Sequence, residues 1–400
     1  MSVPPKLPQN LPLPAWTATP AGRALLGALG TADADTRLVG GAVRDALLGH
    51  PVKDIDLATR FPPAEVVRRL EAAGLKAVPT GIAHGTVTAV GAGLVAEVTT
   101  LRRDVATDGR HAEVAFTDDW QADASRRDFT INALYATLPQ GAISDFFGGC
   151  DDLAARRVRF IGDPLQRIAE DHLRILRFFR FSARFAGTLD AEGLAACSAR
   201  ANDLMALSRE RIAQELRGLL GVADPLPVLA EMLARGIWRP VLPEFAAAGL
   251  DVLARTIAAE AATGVAPDWR RRLAALLPAD RAIADDVTAR LRLSNADRTR
   301  VALAVRPWAG DLWATAWAEG AEAAIDRLLI AGMTADVPAL VAWARPKLPA
   351  SGRDIIARGI AAGPAVAAAL GRFERAWVAA GFPRDTATVA TLLDRAVAVT

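Results

Sequence analysis

The sequence predicts an α+β protein in which a small mixed β-sheet with flanking helices comes first and an elongated all-helical region follows. Two observations carry this prediction. Before about residue 150, short β-prone runs alternate with glycine turns and single helices. From about residue 224 onward, Ala- and Leu-rich segments of helical length are broken at glycine and proline.

Composition restricts the class of protein further. The 400 residues are 52% hydrophobic and 23% charged, which is enough for a packed core. The net charge of +2 leaves no polycationic tail, so any nucleic-acid contact must come from local basic patches. Cys150 and Cys197 are the only cysteines, and no Cys/His cluster has zinc-like spacing. Since no apolar run is long enough to span a bilayer and no signal-peptide pattern is present, we expect a cytoplasmic protein without membrane contact or an obligate protein partner.

The central stretch is residues 37–58, which read RLVGGAVRDALLGHPVKDIDLA. The pattern predicts a strand, a glycine turn, a helix and a second strand. Because side chains alternate along a strand, Asp54 and Asp56 share one face. Two neighbouring carboxylates repel each other, and a bound divalent cation keeps both ionised. The Gly40-Gly41 turn and the helix after it offer N–H groups to an anion, so a metal site and a phosphate site would lie together, as nucleotidyl transfer requires.

Either half of this pattern alone is most often a plain turn or a solvated strand end. In this order, GGAVRD and DIDL resemble the signature of the bacterial tRNA nucleotidyltransferase and poly(A) polymerase family, within the class II nucleotidyltransferases. The resemblance implies a polymerase-beta-like nucleotidyltransferase head. It implies Mg²⁺ held by Asp54 and Asp56, which are then the catalytic residues. It also implies nucleotide contacts from Gly41 and Arg44.

A second motif, RRDFTINA, occupies residues 126–133, and in it two arginines and an aspartate precede an apolar stretch that we expect to be helical. Arginine can form a two-pronged contact with a triphosphate, and a nearby carboxylate can accept a hydrogen bond from a ribose hydroxyl. By composition alone, a helix cap with surface arginines is the more usual interpretation. The motif resembles one of the same family, and the resemblance assigns a nucleotide contact to Arg127 and a ribose contact to Asp128.

A third motif, EDHLRILRFFRF, occupies residues 170–181. Asp171 and Arg174 are three residues apart, so on a helix they would share a face and orient each other. The ordinary alternative is an exposed helix with salt bridges. The resemblance implies that Asp171 and Arg174 recognise the base of CTP or ATP and that Arg177 and Arg180 bind the triphosphate.

Four further features have weaker signals. Glu97 is either a third acidic group beside the aspartates or, more usually, an edge-strand glutamate facing water. Residues 101–120 are polar and are expected to form a loop, while SRERIAQEL at residues 208–216 is expected to be an N-capped bracing helix. The arginines between residues 270 and 300 fit either tRNA phosphates or a solvated face, and a solvated face is the more usual.

Together these patterns predict a division into four parts. These are an N-terminal lead at 1–30, a nucleotidyltransferase catalytic head at 31–150, a helical neck with the nucleotide-recognition helix at 151–222, and a helical body and tail at 223–400 as the expected tRNA-binding region. The resemblance implies template-independent addition of C, C and A to the tRNA 3′ end from CTP and ATP, with release of pyrophosphate. A poly(A) polymerase, or a partial enzyme that adds only CC or only A, shares the same motifs and remains an alternative. A non-catalytic RNA-binding protein is disfavoured because the acidic pair is intact.

Overall fold

A mixed β-sheet of seven strands is the framework of the first part of the chain. Strands β1 to β9 span Thr36–Val39, Ile55–Thr59, Lys76–Gly81, Thr86–Gly91, Leu94–Thr100, Arg102–Thr107, Ala112–Phe116, Leu134–Thr137 and Ile143–Asp145. The order in the sheet is β3-β4-β5-β2-β1-β8-β9, and β6 pairs with β7 in a separate hairpin. β2 and β5 run parallel, whereas the other pairs that the structure describes are antiparallel. The predicted mixed sheet is therefore confirmed.

Helices flank this sheet and make up the regular structure of the later part of the chain. Helices α1 to α9 span Pro20–Ala28, Gly41–Leu47, Pro63–Ala72, Trp120–Ser125, Gly149–Ala154, Pro164–Glu170, Arg174–Phe185, Ala191–Ala199 and Arg209–Leu220. Helices α10 to α20 span Leu226–Ala234, Ala247–Thr263, Trp269–Leu276, Arg281–Arg290, Asn295–Ala304, Leu312–Glu319, Ala321–Ala331, Val337–Val341, Gly352–Ile356, Pro364–Ala379 and Thr386–Ala398. The predicted helical second half is confirmed.

The computed structural model describes residues 7–8, 10–52, 54–107 and 112–398, with the backbone alone at 104–107 and 112–114. It divides into two units. One runs to Leu219 and includes Ala234–Val241, and the other comprises Leu220–Leu233 and the chain from Leu242 onward. The predicted four-part division of roles stays a prediction. Within the described residues, no helix is both long and apolar enough to cross a membrane.

The predicted strand, glycine turn, helix and strand are β1, Gly40, α2 and β2. Gly40 has a φ of +67°, a conformation that glycine adopts without a steric penalty, and the chain reverses there into α2. Leu38, Val43 and Leu57, which belong to β1, α2 and β2, are buried. The apolar face of β2 thus packs in the core, and the acidic face of the strand points away from the core.

Two local predictions are wrong. Residues 102–107 and 112–116 form the hairpin β6–β7 rather than a loop, and residues 108–111 at its tip lie outside the described residues. The stretch after RRDF forms a short 3₁₀ turn, Thr130–Asn132, followed by strand β8 rather than a helix. Both segments are short, and pairing with a partner strand outweighs their weak local preferences.

The motif at residues 170–181 is not one helix. Helix α6 ends at Glu170, Asp171 has extended backbone with a φ of −151°, and α7 begins at Arg174. The Asp171 carboxylate accepts a hydrogen bond from the backbone N–H of Leu173 at 3.0 Å, which competes with continued helix. The prediction that Asp171 and Arg174 share a helix face is therefore wrong.

A buried network of ion pairs occupies the second unit. The Arg271 guanidinium donates to Asp326 at 2.8 Å and to Glu260 at 2.7 Å. Arg272 donates to the same Glu260 at 2.7 Å, and all four side chains are buried. Arg300 also pairs with Asp326, at 2.8 Å. The solvated-face interpretation is wrong for these arginines, because they neutralise carboxylates inside the unit.

Arg272 should be among the most sensitive positions of the second unit. Its guanidinium also donates to the carbonyl oxygens of Leu220 at 2.9 Å and Ala223 at 3.2 Å. Arg272→Met leaves these carbonyls and part of the Glu260 charge unpaired, so we expect a loss of about 3–5 kcal/mol in the free energy of unfolding. Urea unfolding followed by circular dichroism measures it.

Arg281 provides the matched control for this measurement. Its side chain is 68% exposed and pairs with Asp285 at 3.5 Å on the surface. Arg281→Met should change stability by less than about 0.5 kcal/mol. Equal, small shifts for the two variants would contradict a stabilising role for the buried network.

Candidate active site

A cavity of about 610 Å³ opens in the first unit, lined by strands β1, β2, β4 and β5 and by helices α2 and α7. It brings together most of the residues predicted to contact the nucleotide, namely Gly41, Arg44, Arg127, Asp171, Arg174 and Arg177. Asp56 of the predicted catalytic pair also lines it. Asp54 directly precedes β2 and is exposed. Segments far apart in the sequence thus meet around one volume.

Asp56 lies beside other carboxylates. The parallel register of β2 and β5 sets Asp56 opposite Glu97, which also lines the cavity. Burial, followed by the charges of Glu97 and Asp54, raises the pKa of Asp56 to about 6, and the nearby Arg127 offsets only part of this rise. Since β5 is an interior strand, the interpretation of Glu97 as an edge-strand residue is wrong. The side chain of Glu97 is exposed, as that interpretation expected, and it lies opposite Asp56 in the register.

These carboxylates fit a divalent cation whose remaining ligands come from the substrate. No group of three or more His, Cys, Asp or Glu side chains that could hold a metal ion is found in the described part of the chain. Mg²⁺, however, is commonly held by one or two carboxylates together with water and substrate phosphates. The raised pKa of Asp56 reflects burial first and then the charges of Glu97 and Asp54, and a bound cation would favour the ionised form.

Helix α2 presents Arg44 to the cavity in a fixed orientation. The buried Arg44 guanidinium donates from Nε to Asp45 at 2.8 Å and from Nη1 to the side-chain oxygen of Asn132 at 2.5 Å. A Cβ atom at Gly40 would lie 3.3 Å from Nη1 of Arg127. Gly40 therefore permits the close approach of the Arg127 guanidinium to the turn.

Asp123 of α4 holds two arginines of the cavity in place. Its Oδ1 accepts from Nε of Arg126 at 2.9 Å, and its Oδ2 accepts from Nη2 of Arg127 at 3.0 Å and from the Tyr135 hydroxyl at 2.7 Å. Burial acts to raise the pKa of Asp123, but the charges of Arg127 and Arg126 outweigh it and hold the pKa at about 2. Sequence reasoning missed this residue because a single aspartate in a short helix carries no local signal.

Arg177 of α7 is paired with Asp128. Its Nε donates to Oδ2 of Asp128 at 2.7 Å, and the Asn132 amide donates to Oδ1 of Asp128 at 3.0 Å. Burial acts to raise the pKa of Asp128, but the Arg177 ion pair outweighs it and lowers the pKa. The predicted ribose contact of Asp128 stays a prediction, and its oxygens here accept from protein donors.

Arg180 has a different environment from Arg177. It is not among the residues that line the cavity. Its Nε donates to Glu215 of α9 at 2.5 Å, and its guanidinium lies 4.4 Å from the centre of the Phe181 ring. This geometry braces α7 against α9. The predicted triphosphate contact of Arg180 stays a prediction, and it would require the side chain to leave Glu215.

The two side chains predicted to read the base are held by separate partners. Asp171 is bound by Arg211 of α9, whose Nη2 lies 2.8 Å from Oδ2 and 3.0 Å from Oδ1. Arg174 donates to Glu170 at 2.6 Å and to the carbonyl oxygen of Arg126 at 3.1 Å. Sequence reasoning assigned Arg211 only to a bracing helix, because its partner lies 40 residues earlier.

This fold and site define a nucleotidyltransferase head followed by a helical region, and comparisons with known proteins agree. Residues 36–159 match the family described as the poly A polymerase head domain, and residues 188–248 match the one described as the probable RNA and SrmB-binding site of polymerase A. The mitochondrial CCA tRNA nucleotidyltransferase 1 of Homo sapiens is 33% identical over 374 residues, covering 88% of this chain and 84% of that protein.

Two bacterial proteins show the same relationship. The CCA-adding enzyme of Levilactobacillus brevis is 38% identical over 226 residues, covering 56% of this chain and 55% of that protein. The crystal structure of the Bacillus stearothermophilus CCA-adding enzyme in complex with CTP covers 94% of this chain and 98% of that one, with 28% identity and a TM-score of 0.70. The chain belongs to the CCA tRNA nucleotidyltransferase and poly(A) polymerase family.

The raised pKa of Asp56 predicts that the stability of the protein depends on pH when no divalent cation is bound. The pKa of Asp56 is about 6 in the folded protein against 3.8 for the unperturbed group, so its charge opposes folding increasingly as the pH rises from about 4 to 6 and fully above that. Asp56→Asn should therefore raise the free energy of unfolding by about 2 kcal/mol at pH 8. Urea unfolding in EDTA measures the gain.

The same variant near pH 4 is the first control, since the gain should shrink to less than about 1 kcal/mol where the folded carboxyl is protonated. Asp33→Asn, at an exposed position of the same unit, is the second control and should show no pH-dependent gain. A variant at Asp56 that is no more stable than the wild type at pH 8 would show that the charge there is already compensated.

Proposed function

We propose that this chain adds C, C and A to the 3′ end of tRNA, without a nucleic-acid template, from CTP and ATP with release of pyrophosphate. The observation that carries the proposal is that one cavity contains both Asp56, beside a second carboxylate, and the pair Asp171 and Arg174. Groups suited to hold a metal ion and groups suited to read a base therefore line one cavity, where they would face the same nucleotide. Membership of the family supports the same activity.

In the proposed reaction, the 3′-hydroxyl oxygen of the RNA bonds to the α-phosphorus of the nucleotide. The bond from that phosphorus to the pyrophosphate oxygen breaks, and the hydroxyl proton passes to solvent. Asp54 and Asp56 would hold Mg²⁺, which when bound lowers the pKa of the hydroxyl and neutralises the departing pyrophosphate. Their charge is suited to this because burial and the charges of Glu97 and Asp54 disfavour the ionised form of Asp56, and a cation would offset that cost.

The arginines of the cavity supply the positive charge for the triphosphate. Arg44, Arg127 and Arg177 are each held by protein acceptors before the nucleotide arrives. Guanidinium groups form two-pronged hydrogen bonds with phosphate oxygens. Because their orientation is already set, less conformational freedom is lost when the triphosphate binds. Gly41 at the start of α2 would let the phosphates approach the backbone closely.

Protein side chains would select the base. Cytosine and adenine each present an exocyclic amino group, whereas uracil and guanine present a keto oxygen at the corresponding edge. A carboxylate such as Asp171 accepts a hydrogen bond from an amino group and repels a keto oxygen. Arg174 supplies donors for the acceptor positions of the same base. This chemistry explains how CTP and ATP could be chosen without a template strand.

The deciding experiment measures incorporation of labelled CTP and ATP, with Mg²⁺, into tRNA that ends at the discriminator base, at CC or at CCA, beside an unrelated RNA. Addition of C, C and A that then stops, on tRNA alone, is the expected result. Long A tails on any RNA would assign the chain as a poly(A) polymerase, and addition of only CC or only A would assign a partial enzyme. A cytoplasmic location stays a prediction.

The acidic pair should be essential for this activity. Asp54→Asn and Asp56→Asn each remove one proposed Mg²⁺ ligand, and we expect incorporation to fall by at least about 10³-fold. The exposed Asp33→Asn is the matched control and should retain wild-type activity. Thermal unfolding checks that the variants are folded. Full incorporation by either variant of the pair would refute its proposed catalytic role.

A further inference from the structure

Arg211 of α9 is the ion-pair partner of the carboxylate proposed to read the base. A single nitrogen, Nη2, donates to both Asp171 oxygens, at 3.0 and 2.8 Å. Asp171 lies in extended backbone between α6 and α7, where the helical hydrogen-bond pattern does not fix it. Its carboxylate is otherwise bonded locally, to the N–H of Leu173. Arg211 therefore sets the orientation of the carboxylate from a separate helix.

Arg174, the second group proposed to read the base, is fixed independently of Arg211. Its guanidinium donates to Glu170 at 2.6 Å and to the carbonyl oxygens of Arg167 at 2.9 Å and Arg126 at 3.1 Å. Its side chain is mostly buried, whereas that of Arg211 is 38% exposed. Loss of Arg211 would thus release the Asp171 carboxylate, which is the acceptor of the base-reading pair. The Arg174 guanidinium, which is the donor, would stay in place.

We propose that Arg211 is a positioning residue for base selection, which acts through Asp171 and determines how strongly CTP is preferred over UTP. The inference rests on the proposed function. Cytosine and uracil differ at the amino or keto group that a carboxylate would contact. A site built to hydrogen-bond a substrate group discriminates only if its own polar atom is held in the right place. A carboxylate that turns away accepts poorly from cytosine and excludes uracil less.

The test compares kcat/KM for CTP and for UTP, with tRNA as acceptor, in the wild type and in variants at Arg211. In Arg211→Ala the CTP-to-UTP ratio should fall by about tenfold, mainly through KM for CTP. Arg211→Lys should recover most of the ratio, because one nitrogen makes both contacts. An unchanged ratio in Arg211→Ala, with equal losses for both nucleotides, would show a structural role only and overturn the proposal.

Arg209 offers a matched control on the same helix. It is the first residue of α9 and makes no ion pair with the residues that the structure describes. Arg209→Ala removes the same charge from α9, so the CTP-to-UTP ratio should stay at the wild-type value. A fall as large as that of Arg211→Ala would mean that the charge of α9 in general, and not the contact with Asp171, sets the ratio, and would overturn the proposal.

The double variant Asp171→Asn with Arg211→Ala tests whether Arg211 acts through Asp171. Its ratio should equal that of Asp171→Asn alone, and a further independent loss would overturn the proposal. Equilibrium binding of CTP and UTP to the same variants measures discrimination without turnover. A wild type that incorporates neither nucleotide would contradict the proposed function, whereas this binding comparison would still decide the role of Arg211.

Discussion

Burial of the Asp56 carboxylate, with Glu97 beside it, is the constraint on which the rest of the site depends. The parallel pairing of β2 with β5 places them opposite each other, and the next pair in the register, Leu57 and Val98, is buried in the core. The apolar side of the two strands therefore holds the acidic side in a position that its own charges oppose. Such opposition between stability and local charge is typical of functional sites, and a cation with substrate phosphates would remove it.

The arginines of the first unit show the complementary arrangement. Several of those that line the cavity are held by carboxylates, as in the pairs of Arg127 with Asp123 and of Arg177 with Asp128. Several cations can therefore lie around one cavity without repelling each other strongly, and each keeps a defined orientation. The net charge of the whole chain is only +2, so its capacity to bind phosphate depends on placement rather than on total charge.

Local patterns predicted the framework but not the partners. The order β1, α2, β2 follows from glycine at a positive φ and from the alternation of side chains around Asp54 and Asp56. The position of Glu97 depends on the order of strands in the sheet, which a short β-prone run does not encode. The break at Asp171 likewise accompanies a contact with Arg211, a residue far along the chain. The spacing of residues within a motif does not reveal contacts between residues that are far apart in the sequence.

In the second unit, too, the sequence does not reveal the partners of the charged residues. Arg271 finds its acceptors 11 and 55 residues away, in Glu260 and Asp326, so consecutive arginines that suggest an exposed or RNA-facing surface are internal instead. Arg271 and Arg272 are almost fully buried, so either guanidinium could reach a phosphate only by leaving its carboxylate with an unpaired buried charge, which is costly. Any phosphate contact in this unit would therefore come from side chains outside the network. The arginines that are most conspicuous in the sequence are thus the ones that the packing withdraws from RNA.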